Sequence, residues 1–597
     1  MDNEEDIAPG IGLLPLSLIG VLIGLLTGLG AILFRAMIAV VHNLMFLGHL
    51  SATYNANVYT LPSPWGVGVI VVPVLGAIVV TYLVTKFAPE ARGHGVPEVM
   101  DAIFYQEGRI RPLVAVIKSI ASAFSIGSGG SVGREGPIIQ IGASIGSTVG
   151  TYVRMQPWQR ITLVAAGAGS GIAATFNTPI GGVLFAVELM LPEVSARTFL
   201  PVALATGTAT WIGHVFFGLN PAFLVPSVLS VAVRNASVYT LLLYAALGAF
   251  VGLAATAFIR GLHATEDVFD RIGNPYFRHM IGMLIVGALM YALFLWQGHY
   301  YVEGVGYATI QDILLGGETA LPLLIVLCLC KLLATNLTLG SGASGGIFSP
   351  SLFIGATLGG AFGAFLMAVF PSAGFSIAAF AMVGMAAMVG GATGAAMTAV
   401  TMIFEMTRNY DLVMPMIIAV AVSIGVRRVL SRENIYTIKL VGRRHFIPKA
   451  LHANMFLVRR AVEVADKSFV TLSAADSLDA LLPAEGGEGG LRHVVLSENR
   501  NIVGVLRVNT SLRRGLEGTA TPLGDVANRN FTVAREDDIM FDVIRRMWRH
   551  GARMAVVVRK TRGVPHIDDV VGVISKEHVA DSVAEGIRPY GSTGAFA

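Results

Sequence analysis

Long apolar stretches separated by short polar connections dominate the chain up to about residue 444. The weakly charged stretches are 11–34, 65–85, 236–258, 320–329 with 332–338, and 375–403. A helix needs about 20 mostly apolar residues to cross a hydrocarbon layer of about 30 Å. Several of these stretches meet that requirement, so the pattern predicts an all-α polytopic membrane domain over 11–443, after a short cytoplasmic tail at 1–10.

The pattern changes near residue 444, where charges become frequent and the apolar stretches shorten to strand length. The predicted strands are "HVVLS" (493–497), "IVGVLRV" (502–508), "MAVVVRK" (554–560) and "VVGVIS" (570–575). Helical spacing occupies 477–483 and 538–551. These elements predict an α/β region over 444–597 in which a strand–helix–strand–strand–helix unit occurs twice, at about 468–515 and 523–584.

A Gly- and Pro-rich pattern occurs twice within the apolar domain. Aligned without gaps, 127–150 and 340–363 share glycines, serines and a proline, beginning "GSGGSVGREGP" and "GSGASGGIFSP". Lys118 and Lys331 precede the two copies at matching positions, and "VLFAVELM" (183–190) resembles "VTMIFEMT" (400–407). The domain is therefore predicted to consist of two repeats, about 11–225 and 236–430, with a last helix at about 431–441.

Gly/Pro-interrupted segments at corresponding places in two halves indicate a transport site. Helices that start inside a membrane domain can aim free N–H groups and positive dipole ends at one point, which makes an anion site. The alternative is that these glycines only allow close helix packing. Packing alone does not explain why Pro137 and Pro350 occupy the same place in both copies.

Composition supports the membrane interpretation, since 54% of the residues are hydrophobic, 13% are charged and the mean hydropathy is +0.68. Cys328 and Cys330 lie two apart in an apolar stretch, which predicts neither a disulfide framework nor a metal site. The acidic start "MDNEED" and the lack of a small-residue cleavage site predict no removable signal peptide.

The small net charge of +4 gives no reason to expect a nucleic-acid partner. The basic residues after the last long apolar stretch predict a cytoplasmic C-terminal end; they are Arg427, Arg428, Arg432, Lys439, Arg443 and Arg444.

Four ordered motifs resemble the CLC chloride channel and transporter family. They are "GHGVP" (93–97), "GREGP" (133–137), "GGIFSP" (345–350) and Tyr436 within "ENIYTIKL", and "FEMTRNYDLVMPMII" (404–418) resembles that family's late helices. The C-terminal region resembles a tandem pair of CBS domains. The resemblance implies two inverted repeats with broken helices, a homodimer with one anion pathway per subunit, and a plasma (inner) membrane location with both termini cytoplasmic.

Glu135 is the predicted gate. A carboxylate at membrane depth is costly and usually functional. At a helix start it mimics an anion, and the resemblance assigns it the role of gate and proton acceptor. The alternative is simple pairing with Arg134, which either orders the loop or raises the local potential. The resemblance also implies an anion-path motif formed by Gly93, Gly95, Pro97, Gly133, Arg134, Gly136, Pro137 and Pro350.

A central anion is expected at the backbone N–H groups of Ile347 and Phe348, after Gly346, with a hydrogen bond from the Tyr436 hydroxyl. The alternative for Tyr436 is an interfacial aromatic at a helix end. Lys118, whose position also matches the family, and Lys331 are expected to be electrostatic supports or snorkelling residues.

Two positions depart from the family pattern. His94 stands where Ser is common; its ring N–H can contact the anion, or it points away and a backbone amide serves instead. Leu189 stands where many exchangers carry a second Glu for internal proton transfer, which favours a chloride channel over a proton-coupled antiporter.

The C-terminal region matches the CBS fold pattern better than its nucleotide pattern. "GVISKEH" keeps Gly572 and Ser575 but ends in His578, where the family has Asp or Asn, and Arg507 stands at a hydroxyl position. Adenine-nucleotide binding is therefore expected to be weak or absent, and a docking and dimerisation module without ligand is the alternative. No other cofactor and no metal is predicted.

The predicted function is glutamate-gated chloride transport, favouring a channel, with a proton-coupled chloride antiporter or a relative preferring nitrate or fluoride as alternatives. No enzyme activity is predicted. An intramembrane serine protease using Ser344 of "GASG" (342–345) needs a later membrane histidine, but the next one, His445, follows the last span. A cation transporter requires several intramembrane carboxylates, which are few here.

Overall fold

The computed structural model describes residues 10–225, 238–447, 455–477, 492–508, 521–559 and 564–580. The chain divides into two compact units, Met1–Ile447 and Pro448–Ala597. This division lies close to the change of composition near residue 444.

The first unit is helical, since a segment in hydrocarbon must satisfy its backbone N–H and C=O groups internally. Its α-helices are α1 (Leu13–His42), α2 (Val72–Lys86), α3 (Val96–Tyr105), α4 (Pro112–Gly127), α5 (Glu135–Tyr152), α6 (Pro157–Phe176), α7 (Pro179–Phe185), α8 (Ala196–Phe217), α9 (Val238–Asp270), α10 (Pro275–Gln297), α11 (Tyr307–Leu315), α12 (Leu321–Ser341), α13 (Phe348–Val369), α14 (Ile377–Thr393), α15 (Ala396–Thr407), α16 (Val413–Leu430) and α17 (Thr437–Gly442).

Eight helical segments among the described residues are long and apolar enough to cross a membrane. They are Leu13–Leu47, Gly66–Lys86, Ala196–Phe217, Val238–Asp270, Pro275–Gln297, Leu321–Ser341, Phe348–Val369 and Tyr410–Leu430. The predicted polytopic helical membrane domain is thereby confirmed.

Two predicted elements differ in detail. The stretch 375–403 is two helices, α14 and α15, because Gly394 takes a left-handed φ of +79° between them. The last helix was expected at 431–441 but begins at Thr437. The Asn434 side chain accepts the N–H groups of Tyr436 and Thr437 at 2.9 and 2.8 Å, which fixes the start of α17 there.

Corresponding helix pairs of the two halves pack in the same way. A Cβ on Gly142 of α5 would lie 2.2 Å from the Gly167 oxygen of α6. The equivalent Cβ on Gly355 of α13 would lie 2.4 Å from the Gly384 oxygen of α14. These glycines therefore allow close helix packing. The packing alternative for the repeated glycines thus holds for these positions.

The second unit contains two three-stranded sheets. The strands are β1 (Phe469–Ser473), β2 (His493–Glu498), β3 (Asn501–Arg507), β4 (Phe531–Arg535), β5 (Met554–Val558) and β6 (Val570–Ser575). Its helices are α18 (Ala461–Val464), α19 (Leu523–Val526) and α20 (Met540–Arg549).

Each sheet pairs its first strand parallel to the second and the second antiparallel to the third. This confirms an α/β region with a repeated unit and is consistent with a CBS pair. The helix expected at 477–483 falls, from residue 478 onward, outside the described residues.

Candidate functional site

Three of the sequence motifs meet through backbone hydrogen bonds. Gly133 and Gly346 exchange two of them, with N···O distances of 2.7 and 2.6 Å. Gly93 donates to the Ala343 oxygen at 2.9 Å and accepts from Gly345 at 3.3 Å. The loops that precede α3, α5 and α13 are thereby fixed side by side, so the N-termini of these helices converge.

The motif glycines permit this convergence. A Cβ on Gly136 would lie 2.3 Å from the His94 oxygen, and one on Gly346 would lie 2.6 Å from the Gly136 nitrogen. Such contacts between backbones leave no room for a side chain. Pro97, Pro137 and Pro350 lie in the first turns of their helices, where the missing N–H has no intrahelical partner to lose.

The Glu135 carboxylate occupies the N-terminus of α13. The side chain is completely buried. One oxygen accepts hydrogen bonds from the Ser349 hydroxyl at 2.6 Å and the Ser349 N–H at 3.3 Å, and the other accepts from the Tyr307 hydroxyl. A negative group held by a helix N–H and two hydroxyls is in an environment that suits an anion. Glu135 therefore lies at an anion-type site, where the sequence predicted the gate.

Sequence analysis missed Tyr307 and Ser349. Tyr307 begins α11 directly after Gly304-Val305-Gly306. The other half has the same G-x-G pattern at Gly93-His94-Gly95. All four of these glycines have positive φ, from +52° to +82°. Extending the repeat comparison to this G-x-G would have pointed to Tyr307.

Lys118 and Lys331 support these two loops from inside the protein. The Lys118 ammonium donates to the oxygens of Ala91 and Gly93 at 2.9 and 2.7 Å. The Lys331 ammonium donates to the oxygens of Val302 and Gly304 at 3.1 and 2.8 Å. Both side chains are fully buried, so the snorkelling alternative is wrong. Each lysine holds a G-x-G loop in place through these hydrogen bonds.

His94 and Tyr436 lie together near the helix starts. Both are buried, and their ring centroids are 5.7 Å apart. Burial contradicts the interfacial alternative for Tyr436. Within the described part of the chain, His94 Nδ1 has no hydrogen-bond partner. Ile347 caps α13 and Phe348 starts it, so their N–H groups are among the first-turn donors that lack intrahelical acceptors.

Arg134 precedes Glu135 in the chain without pairing with it. Its guanidinium lies over the Tyr307 ring, 5.3 Å from the centroid. No ion pair joins Arg134 to Glu135 among the residues described, which contradicts the simple-pairing alternative. Arg134, Arg35 and Tyr307 line one polar cavity of about 290 Å³. Tyr307, whose hydroxyl binds Glu135, thus shares this cavity with two arginines, which favours a role for Arg134 in the local potential.

Glu188 lies in the helical turn Ala186–Met190 that continues α7, and Glu188 and Glu405 cap each other's helices. Glu188 accepts from the N–H groups of Met397 and Thr398 at 3.1 and 2.9 Å, at the start of α15. Glu405 of α15 accepts from the N–H groups of Ile180 and Gly181 at 3.0 and 2.7 Å, at the start of α7. The sequence similarity between 183–190 and 400–407 therefore corresponds to a pair of helix caps, in which each segment's glutamate caps the other segment's helix. Leu189, next to Glu188, offers no group that binds a proton.

Ser344 lacks the surroundings of a protease nucleophile. Its hydroxyl donates to the Ala91 oxygen at 2.7 Å and lies 2.9 Å from the Ser122 hydroxyl. His445 instead pairs with Asp101. Among the residues that the structure describes, the Ser344 hydroxyl bonds to a carbonyl and another hydroxyl, and neither is a base that would activate it.

Solved structures share this fold. The structure titled a slow cyanobacterial Cl-/H+ antiporter has a TM-score of 0.61 and 24% identity, covering 72% of this chain and 98% of that one. A eukaryotic CLC transporter has a TM-score of 0.60 and 20% identity, covering 95% and 98%. At these identities the likeness establishes the fold.

Sequence relatives establish the family. The H(+)/Cl(-) exchange transporter ClcA of Citrobacter koseri is 33% identical over 413 residues, covering 68% of this chain and 84% of the relative. The same-named protein of Klebsiella pneumoniae subsp. pneumoniae is 36% identical over 351 residues, covering 57% and 72%. The family model described as voltage gated chloride channel matches residues 76–428. Together with the converging motifs and the buried Glu135, these matches show that the chain belongs to the CLC (voltage gated chloride channel) family.

Proposed function

We propose that this protein exchanges chloride for protons across the membrane. The relatives that match it over two thirds of its length are named H(+)/Cl(-) exchange transporters. These relatives support the proton-coupled antiporter, which was the alternative prediction from the sequence. They give less support to the chloride channel, which the presence of Leu189 favoured.

The observation that carries the proposal is the position of Glu135. Its carboxylate fills an anion-type site at the start of α13, held by Ser349 and Tyr307. Protonation removes the negative charge that these donors hold, so the side chain can leave and an anion can take its place. Proton binding and anion access are thus linked at one point, as an exchanger requires.

After Glu135 has moved, chloride passes several hydrogen-bond donors. We expect His94, the N–H groups of Ile347 and Phe348, and the Tyr436 hydroxyl to hold the central anion. The basic cavity at Arg35 and Arg134 attracts anions toward the gate.

The inner proton step differs from the usual pattern. Leu189 binds no proton, and both Glu188 oxygens already accept hydrogen bonds at α15. We therefore assign the inner relay to water that enters the pathway rather than to a second carboxylate. This step is what distinguishes exchange from the channel that the sequence favoured.

The test uses purified protein in liposomes with a chloride gradient and a pH-sensitive dye. Exchange predicts uphill proton movement driven by chloride, while a channel gives chloride flux without it. Glu135→Gln is expected to abolish proton movement and acid dependence while chloride flux continues. Glu90→Gln is the matched control, because Glu90 is 41% exposed and pairs with Arg111 at the surface. Chloride flux without proton movement in the unmodified protein would overturn the proposal.

The same liposomes test anion preference and assembly. Replacing chloride by nitrate or fluoride measures selectivity, which His94 leaves open. We also propose that the protein is a homodimer in the inner membrane with cytoplasmic ends, as the family resemblance and the basic cluster from the end of α16 onward suggest. Cross-linking in native membranes and protease access to the C-terminal unit test these points.

A further inference from the structure

Three side chains with metal-binding atoms meet in the second unit. They are Asp466, His493 and His578, and one ligand atom from each lies within 4.8 Å of the others. Asp466 precedes β1 and exchanges backbone hydrogen bonds of 2.9 and 3.0 Å with Val573 of β6. His493 begins β2, and His578 lies in the helical residues 576–580 that follow β6. The fold therefore brings together residues of both sheets.

The distances to the Asp466 carboxylate are close to those between ligands of one metal ion. His578 Nε2 lies 3.2 Å and His493 Nε2 lies 3.8 Å from the same Asp466 oxygen, Oδ2. Ligands at 2.0–2.2 Å from a tetrahedral Zn²⁺ are about 3.3 Å apart. The side-chain exposures are 1% for His493, 10% for Asp466 and 19% for His578. The His578 side thus leaves an approach for the ion and for a fourth ligand.

The Asp466 carboxylate is oriented by one hydrogen bond, but its second oxygen accepts none in the segments that the structure covers. Asp466 Oδ2 and His493 Nδ1 have no hydrogen-bond partner among the described residues. The other Asp466 oxygen accepts the Ser468 N–H at 2.8 Å, so the carboxylate is oriented. Buried polar atoms without partners are unfavourable, and a cation would satisfy Oδ2.

His578 is also positioned by a neighbour. Its Nδ1 lies 3.3 Å from the Ser575 hydroxyl, which leaves Nε2 directed at Asp466. Hydrogen bonding of the second ring nitrogen is a common feature of histidine ligands. The competing arrangement is an ion-pair cluster, in which Arg492 also lies 3.7 Å from Asp466 Oδ2.

We propose that Asp466, His493 and His578 bind one divalent transition-metal ion, best matched by Zn²⁺, with water as fourth ligand. Two imidazoles and one carboxylate suit zinc better than magnesium or calcium, which prefer oxygen ligands. The ion joins the segment before β1, strand β2 and the helical residues after β6. It also explains why His578 stands where the CBS nucleotide pattern has Asp or Asn, and it replaces the expectation of no metal site.

The test uses the full-length, tag-free protein in detergent, treated with a chelator and titrated with Zn²⁺ by calorimetry. We expect one Zn²⁺ per chain. His578→Ala should weaken binding by at least about 10–100-fold, since loss of a supporting residue alone has that effect. His550→Ala is the matched control, because His550 is exposed in the same unit, and it should bind like the unmodified protein.

Co²⁺ provides a second readout, because its visible spectrum reports nitrogen and oxygen ligation directly. The Co²⁺ bands should disappear in His578→Ala and in Asp466→Asn. The melting temperature of metal-free His578→Ala should equal that of the metal-free unmodified protein, because His578 is the most exposed of the three ligands. Absence of stoichiometric Zn²⁺ binding would overturn the proposal. Equal binding by His578→Ala and His550→Ala would overturn it as well.

Discussion

Removal of one hydroxyl, in Tyr307→Phe, tests the proposed gating role of Glu135 most directly. The Tyr307 hydroxyl donates to Glu135 and lies 2.9 Å from the Ser349 hydroxyl. The ring itself packs against Phe223 and Phe176, with centroids 5.4 and 6.3 Å away, and these contacts persist in the variant. The substitution therefore removes a donor to the closed gate and little else.

The size of the effect follows from the charge on the acceptor. A hydrogen bond to a charged group contributes about 1.5–3 kcal/mol. Each 1.4 kcal/mol changes an equilibrium about tenfold, so the closed gate should be destabilised by about 10- to 150-fold. Ser349 still donates two hydrogen bonds to Glu135, so the gate is weakened rather than lost.

The assay is chloride efflux from liposomes over a series of pH values. Tyr307→Phe should raise flux at neutral pH about tenfold or more, up to the plateau that the unmodified protein reaches in acid. Its ratio of acid to neutral flux should approach that of Glu135→Gln. Tyr301→Phe is the control, because it removes a hydroxyl that donates to Glu318 at 2.8 Å, away from the gate. Unchanged flux in Tyr307→Phe, or an equal rise in Tyr301→Phe, would refute the assignment.

Four further substitutions test the anion pathway and the helix contacts that support it. His94→Ala should weaken chloride binding, measured by calorimetry, about tenfold or more through loss of one donor to a charged ion; unchanged affinity would show that His94 does not contact the anion. Glu188→Ala and Glu405→Ala should each lower the free energy of unfolding by about 0.5–2 kcal/mol through loss of a helix cap and leave proton coupling intact; selective loss of coupling in Glu188→Ala would make Glu188 a proton relay. Gly136→Ala should abolish folded protein or flux, because its Cβ would lie 2.3 Å from the His94 oxygen; normal yield and flux would contradict this close approach.

Local patterns were sufficient for the fold class. Each feature that indicates the fold class can be recognised within a short window of sequence. These features are the apolar stretches, each copy of the Gly/Pro motif and the strand-length segments after residue 444. The observed β6, Val570–Ser575, coincides with the predicted segment, and the other predicted strands are found with small shifts at their ends. The helix ends were less accurate, because Gly394 and Asn434 act through backbone geometry and side-chain caps.

The candidate site was predictable only in part. Gly93, Glu135 and Tyr436 were predicted from motifs and resemblance, and the fold gathers their segments. Tyr307 was missed because its partner Glu135 is 172 positions away in the chain, and no local pattern links them.

The sequence by itself determined that this is a polytopic helical membrane protein with a repeated core and an α/β C-terminal region. Hydrophobic length and residue spacing carry that information directly. Only the tertiary structure decided that Tyr307 and Ser349 bind Glu135, that Glu188 is a cap, and that Asp466, His493 and His578 meet. Those contacts join segments far apart in the chain, and hydrogen bonds form only where packing brings the atoms within about 3 Å.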